Sequence, residues 1–303
     1  MKRLLLHVGY PKAASTSLQN GLFLALHKTK AIHFLGRAWE SRFYGVRLNK
    51  GHYKDWYDDV VARKPYDPNN SLGELSDTLT NVLSEGLFMM WERHFNEMVG
   101  PEILRNYFTG LADQIDVMII IRKQDDLLPS YFVQNYRKLG KKDFSEFVAH
   151  NREKNWTGEA KLFNLHNVIR SYADAFGKER VHIMLFEDFV HDRDRFSADL
   201  AKLIHVDPAV IRSHMAGEHL NQSRKEADTI VIRKLDKSSM RYRTIRFFEI
   251  LGLKSAADSL RVRIPAVSDT EKKAVFDIFR ESNLRLAEEF DLDKDRMRAY
   301  GYF

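Results

Sequence analysis

The sequence predicts an α/β protein of three layers, a central and mostly parallel sheet with helices on both faces. Two observations predict it. Short apolar runs without helical spacing recur along the chain, notably Leu4-Leu5-Leu6 and Asp116–Ile121 (DVMIII). Each is followed by a stretch whose apolar residues fall at helical spacing, the alternation expected of strand–helix–strand units. At 303 residues the chain is long enough to bury most of its unfolded surface without staples. It shows no internal repeat and no interdomain linker, so a single domain over 1–303 is expected.

Lys2 to Gly9 reads as a buried strand running into Gly-Tyr-Pro. Ser15 to His27 places Leu18, Leu22, Leu24, Ala25 and Leu26 with helical spacing, and its opening Ser/Thr cluster is able to cap the first turn. Residues 36–72 are aromatic, charged and broken by Pro65, Pro68 and Asn69-Asn70, which predicts a long loop or mobile cover over a site. Thr78 to Ser84 reads as a strand ending at Glu85-Gly86, and Pro101 to Gly110 as a short helix. Asp116 to Ile121 gives the strongest strand signal. Arg122 follows it, then a helix from about Asp125 or Leu127 to Leu139, stopped by Gly140. Helices are expected at 143–151, 161–176, 192–204 and Phe276–Phe290, with a strand at Val181–Phe186. A basic helical segment is expected at 221–263, where eleven Lys/Arg stand against five Asp/Glu. It reads either as a solvated face or as a lid or groove for an anionic substrate.

The apolar and charged fractions, 44% and 30%, are those of an ordinary soluble protein. There is no cysteine, which excludes disulfides, thiol catalysis and cysteine metal sites but does not fix the redox compartment. The net charge of +6 and the pI near 9.2 suit an anionic ligand. Basic residues are spread along the chain with no Arg/Lys block, so nucleic acid is not the expected partner. The apolar run after Lys2-Arg3 is shorter than the roughly 7–15 residues of a signal-peptide core. No window approaches the ~18 apolar residues of a membrane span. The expectation is a cytoplasmic protein without a transmembrane segment, with contact at a membrane surface left open.

Tyr10-Pro11-Lys12-Ala13-Ala14-Ser15-Thr16-Ser17 lies between a buried strand and a helix start, a natural anion site. The ATP-binding P-loop pattern G-x-x-x-x-G-K-[ST] does not fit it. Laid over Gly9, the second glycine is Ala14, the lysine is Ser15, and only Thr16 agrees. The loop instead resembles the 5′-phosphosulfate loop of sulfotransferases that use 3′-phosphoadenosine-5′-phosphosulfate (PAPS), Y-P-K-[ST]-G-[ST]-[ST]. It departs from that pattern at Ala13 and Ala14. The resemblance extends to Arg122 at a strand end with Ser130 eight residues on, the family's pair for the 3′-phosphate. Phe186-Glu187-Asp188-Phe189 and Ser282–Ala287 are similar to stretches of bacterial members of the carbohydrate-sulfotransferase-like branch. Glu187 and Asp188 read as structural rather than catalytic.

The resemblance implies the P-loop-like sulfotransferase fold and transfer of the PAPS sulfuryl group to a hydroxyl, leaving PAP and needing no metal. It implies that Lys12 neutralises the leaving 5′-phosphate, and that Lys12, Ala13, Ala14, Ser15, Thr16 and Ser17 line that phosphate. Arg122 and Ser130 would hold the 3′-phosphate, and Ser223 and Arg224 would close over the nucleotide. The family's base is a histidine or a glutamate. Glu85, at the carboxyl end of its strand, is the choice here over His94, His33 and His7. His94 reads as a surface histidine, His33 as a strand residue and His7 as a core one. A glutamate base and the aromatic 36–72 stretch favour a carbohydrate or glycolipid acceptor. The alternatives are a P-loop-type kinase for a small metabolite and a non-catalytic nucleotide- or polyanion-binding protein.

Overall fold

The computed structural model describes residues 1–37, 64, 74–89, 100–140, 143–215, 225–226, 229–232, 240–253, 257 and 259–303. Most of the expected cover at 36–72, together with His94, Ser223 and Arg224, lies outside the described residues.

The chain divides into two compact units, one made of 1–123, 156–220 and 279–303, the other of 124–155 and 221–278. The first unit is built on β1 (Arg3–Val8), β2 (His33–Arg37), β3 (Asn81–Glu85), β4 (Gln114–Ile121) and β5 (Val181–Leu185). They pair in the order β2-β3-β1-β4-β5, every pair parallel. Leu4, Leu6 and Val8 of β1, Leu83 of β3 and Val117–Ile121 of β4 are buried, the pattern of strands covered on both faces. The register aligns the strand ends: Val8 lies opposite Glu85 on one side and Ile119 on the other, and Ile121 lies opposite Leu185. The carboxyl ends of four strands therefore finish at one edge.

Side-chain caps start some of the helices of this unit and not others. After β1 come α1 (Ser15–Ser17), a π-helical turn (Leu18–Leu22) and α2 (Phe23–Lys28). α3 (Gly100–Phe108) follows β3. α4 (Gln124–Leu139) and α5 (Phe144–Glu153) belong to the second unit, and the chain then returns to the first at α6 (Leu165–Phe176). α7 (Phe186–His191), α8 (Arg193–Ile204) and α9 (Pro208–Met215) follow β5. Asn164 caps α6 by accepting the Asn167 N–H, and Asp192 caps α8 through the Arg195 N–H.

The stretch expected to be a basic helical segment is only partly helical. It holds β6 (Lys225–Glu226), β7 (Thr229–Ile232) and α10 (Met240–Ile250), and β8 (Val262–Pro265) begins within it. The three strands pair antiparallel as β6-β7-β8. Thr229-Ile-Val-Ile is β-branched throughout, and that local preference outweighs the surrounding charge. The second unit also holds an aromatic cluster in which Phe132 of α4 meets Tyr136, Phe144 and Phe147. α11 (Asp269–Glu289) starts earlier than its apolar spacing suggests, because Ser268 and Glu271 form a reciprocal cap.

α12 (Lys294–Tyr300) and the residues after it latch onto the end of β5. The Tyr302 hydroxyl donates to Glu187 (2.7 Å), the Tyr300 hydroxyl to Asp188 (2.9 Å), and Arg296 pairs with Asp188 at 2.8 Å. Asn283 of α11 donates to the Tyr302 carbonyl, and Ser282 bonds the side chain of the α6 cap Asn164. Burial pushes the Glu187 carboxyl above its ordinary range, and the Tyr302 hydroxyl works against that shift. Removing this donor leaves a buried carboxylate short of a partner. Tyr302→Phe is expected to lower stability by about 1–3 kcal/mol, read as a shift in the urea midpoint at unchanged m-value.

Candidate functional site

The shared carboxyl edge of β1, β3, β4 and β5 gathers three of the features expected of a site, together with Phe186-Glu187, of which Glu187 is expected to be structural, all within the first unit. The Tyr10–Ser17 loop leaves β1, Glu85 ends β3, Arg122 follows β4, and Phe186-Glu187 follows β5. In open parallel sheets, ligands bind at this edge.

The loop is rooted by backbone contact. The Gly9 N–H donates to the Glu85 carbonyl at 3.0 Å. A Cβ added at Gly9 would stand 2.9 Å from Gly86 Cα and 2.9 Å from Ser15 Oγ. No side chain fits there, so the chain must be glycine where β1 turns into the loop. The Ala13 N–H then donates to the Tyr10 carbonyl at 3.3 Å, closing a tight turn over the buried Tyr10.

Lys12 and Ala14 both adopt left-handed backbone, at φ 64° and φ 59°. Ala14 is also the N-cap of α1, and an alanine offers no side-chain cap. This corrects the expectation that the Ser/Thr cluster caps the first turn. Ser15, Thr16 and Ser17 are helical, and Ser15 Oγ donates backwards to the Tyr10 carbonyl at 3.3 Å. The first-turn N–H groups of a helix have no partner within the helix and carry its positive end. Ala13 is buried, Thr16 is exposed, and Lys12, Ala14, Ser15 and Ser17 are half-buried.

Arg122 is half-buried and fixed from two sides. Its Nη1 donates to the Lys12 carbonyl at 3.1 Å, and its guanidinium lies over the Phe186 ring, 4.6 Å from the centroid. It thus joins the end of β4 to both the loop and the end of β5. Next to it, the Lys123 N–H donates to Glu187 at 3.3 Å. Ser130 lies half-buried in α4, in the second unit.

Glu85 is only 2% exposed. Strand alternation places it with Val8, on the sheet face opposite the His7–Ser84 pair. His7 is a core histidine, as expected. Its Nδ1 meets Ser84 Oγ at 2.6 Å, Gln19 of the π-helical turn donates to that same hydroxyl at 2.8 Å, and Phe23 packs edge-on against the ring. This network ties β1, β3 and the helix after the loop together beneath the site. His7 Nε2 is buried with no hydrogen-bond partner among the described residues. His33 is a strand residue bonded to Asn81 at 2.9 Å.

Sequence reasoning misses several of these partners: the Gly9–Gly86 contact, Gln19, Phe186 under Arg122, and Tyr302 on Glu187. The first has a visible signal, a glycine directly after each of two strands. The others join residues that no local pattern connects. Among the described residues no group of three or more acidic or histidine side chains is placed to hold a metal ion.

No protein-family model and no curated protein matches the chain. A solved structure, that of a sulfotransferase from Alicyclobacillus acidocaldarius, is similar to it along almost the whole length, covering 98% of this chain and 99% of that one. The TM-score is 0.53 at 14% sequence identity. The fold is the sulfotransferase fold. Its five-stranded parallel sheet flanked by helices is the α/β, P-loop-like architecture expected from the sequence.

Two measurements test the local geometry. Left-handed backbone is unfavourable for alanine, so Ala14→Gly is expected to raise stability by up to about 1 kcal/mol, seen as a higher denaturation midpoint. Burial pushes the His7 imidazole down to about 3, so the folded protein holds it neutral. Between pH 6.5 and about 3 the unfolded chain binds the extra proton. Stability is therefore present above pH 6.5 and falls as the pH falls, by at most about 1.4 kcal/mol per unit from this group. His7→Gln should flatten that slope in urea titrations run at successive pH values, and an unchanged slope would refute the assignment.

Proposed function

We propose that the protein transfers the sulfuryl group of PAPS to an acceptor hydroxyl on a carbohydrate or glycolipid, as one sulfotransferase domain acting in the cytoplasm. One observation carries this reading. The loop whose residues resemble the 5′-phosphosulfate motif sits at the carboxyl edge of a parallel sheet of sulfotransferase fold, and Arg122 holds its backbone from the neighbouring strand end. The donor set suits a doubly phosphorylated nucleotide. It offers a helix start, a lysine, three hydroxyls of which that of Ser15 already donates to the Tyr10 carbonyl, and an arginine fork with five guanidinium donors of which one goes to the loop.

PAPS supplies the activated sulfur and a good leaving group. Glu85 accepts the proton of the acceptor hydroxyl as its oxygen attacks the sulfur. The S–O bond to the 5′-phosphate breaks, its electron pair stays on the phosphate, and Lys12 neutralises the charge that collects there. Ala13, Ala14, Ser15, Thr16 and Ser17 hold that phosphate through N–H groups and hydroxyls. The sequence resemblance assigns Arg122 and Ser130 to the 3′-phosphate, and Ser223 and Arg224 to closure over the nucleotide. Catalysis is positioning and charge stabilisation, and no metal enters.

The test is transfer of ³⁵S from labelled PAPS to a panel of glycans. Lys12→Ala and Glu85→Ala are each expected to lower kcat by about a hundredfold or more. Arg122→Ala should chiefly raise KM for PAPS, by about tenfold to a hundredfold. A rate unchanged by chelator separates this reading from a metabolite kinase, which needs Mg²⁺. Binding of PAP no tighter than AMP would sink the nucleotide assignment.

A further inference from the structure

No helix among the described residues is long and apolar enough to cross a membrane. α10 nevertheless carries an apolar face to solvent. Phe247 is 58% exposed, Ile250 76%, Leu251 54% and Leu253 50%, while Ile245 on the other side of the same helix is buried. Phe247, Ile250 and Leu251 stand at i, i+3 and i+4, so they form one stripe rather than scattered exceptions. Such a stripe in water is unfavourable compared with burial.

The charge around the stripe narrows what could cover it. From 240 to 263 the chain carries Arg241, Arg243, Arg246, Lys254, Arg261 and Arg263 against only Glu249 and Asp258. Glu249 is itself taken up by Arg246 at 3.0 Å and Arg261 at 2.7 Å. Arg246 stands one turn before Ile250 on α10, and Arg261 reaches the same helix through Glu249, so basic residues flank the stripe. A second copy of the chain is a poor occupant. A symmetric dimer would set this basic rim against its own image. An anionic bilayer is complementary in both respects, taking the apolar side chains at the level of the acyl boundary and the basic ones among its headgroups.

We propose that the α10 face docks the protein onto the surface of a membrane containing anionic lipid. Phe247, Ile250, Leu251 and Leu253 enter the interface, and the surrounding arginine and lysine residues hold the headgroups. The inference uses no residue of the proposed transfer site, and vesicle binding reads it whatever the chain transfers.

The experiment is co-sedimentation of the full chain with vesicles of phosphatidylcholine alone and of phosphatidylcholine mixed with phosphatidylglycerol. The chain should partition onto the mixed vesicles, and added salt should release it, because exposed charges are screened. A triple variant, Phe247→Ser with Ile250→Ser and Leu251→Ser, should lose about tenfold or more in partition while keeping its circular dichroism, since the three side chains face solvent. As a second probe that does not weaken the face, Phe247→Trp should gain quenching by brominated lipid over the wild-type protein. Wild-type chain left in the supernatant with both lipids, or a triple variant that binds like the wild type, overturns the proposal. So does a lipid-free dimer, seen by light scattering, that the triple variant converts to monomer; that outcome assigns the face to a second copy.

Discussion

The candidate site depends on one close approach between two backbones. Gly9 and Gly86 each follow a central strand, and they come so near that a single added carbon at Gly9 would collide with Gly86 Cα. The bond from the Gly9 N–H to the Glu85 carbonyl sits at the same point. The loop and the end of β3 meet at this contact. The Tyr10–Ser17 loop springs from one side of it, and Glu85 closes the other. Exclusion by backbone is a hard constraint, because no rotamer change can relieve it.

Around that contact the site is braced from three directions. Beneath it, His7, Ser84 and Gln19 join two strands to the helix that leaves the loop. Beside it, Arg122 lies on Phe186 and donates to the Lys12 carbonyl. Farther along the edge, Glu187 and Asp188 are gripped by Tyr302, Tyr300 and Arg296. The last group explains a pair of carboxylates that are easily mistaken for catalytic ones. Both are committed to holding the C-terminal segment against the end of β5. Their burial is compensated by donors, as buried charge requires.

How much of the fold and site is legible in the sequence depends on the range over which each signal acts. DVMIII announces β4 because a strand buried on both faces must be apolar throughout, and that is a local property. The apolar run still leaves β4 two residues short at its start, since Gln114 and Ile115 pair with β1 at the less buried end. For β3 the local signal begins too early. Thr78 to Thr80 look strand-like, but Ser76 and Asn81 bind the backbone there instead. The surrounding charge hides the strand character of Thr229–Ile232. Lys12, Glu85 and Arg122 are visible because each ends or follows a strand. Gln19, Phe186 and Tyr302 are not, because their partners lie across the fold and nothing in their neighbourhood marks them.

Lys12 and Ala14 carry a wider consequence. Two left-handed residues flank Ala13, and neither is the glycine that such angles favour. The turn therefore holds these angles without the residue type that adopts them at least cost. The direction of a loop's N–H vectors is set by its dihedral angles, and residue identity is only one way of setting them. A comparison made letter by letter loses such a turn at these positions. A comparison of backbone traces does not see the letters at all, and it recovers the architecture at 14% identity.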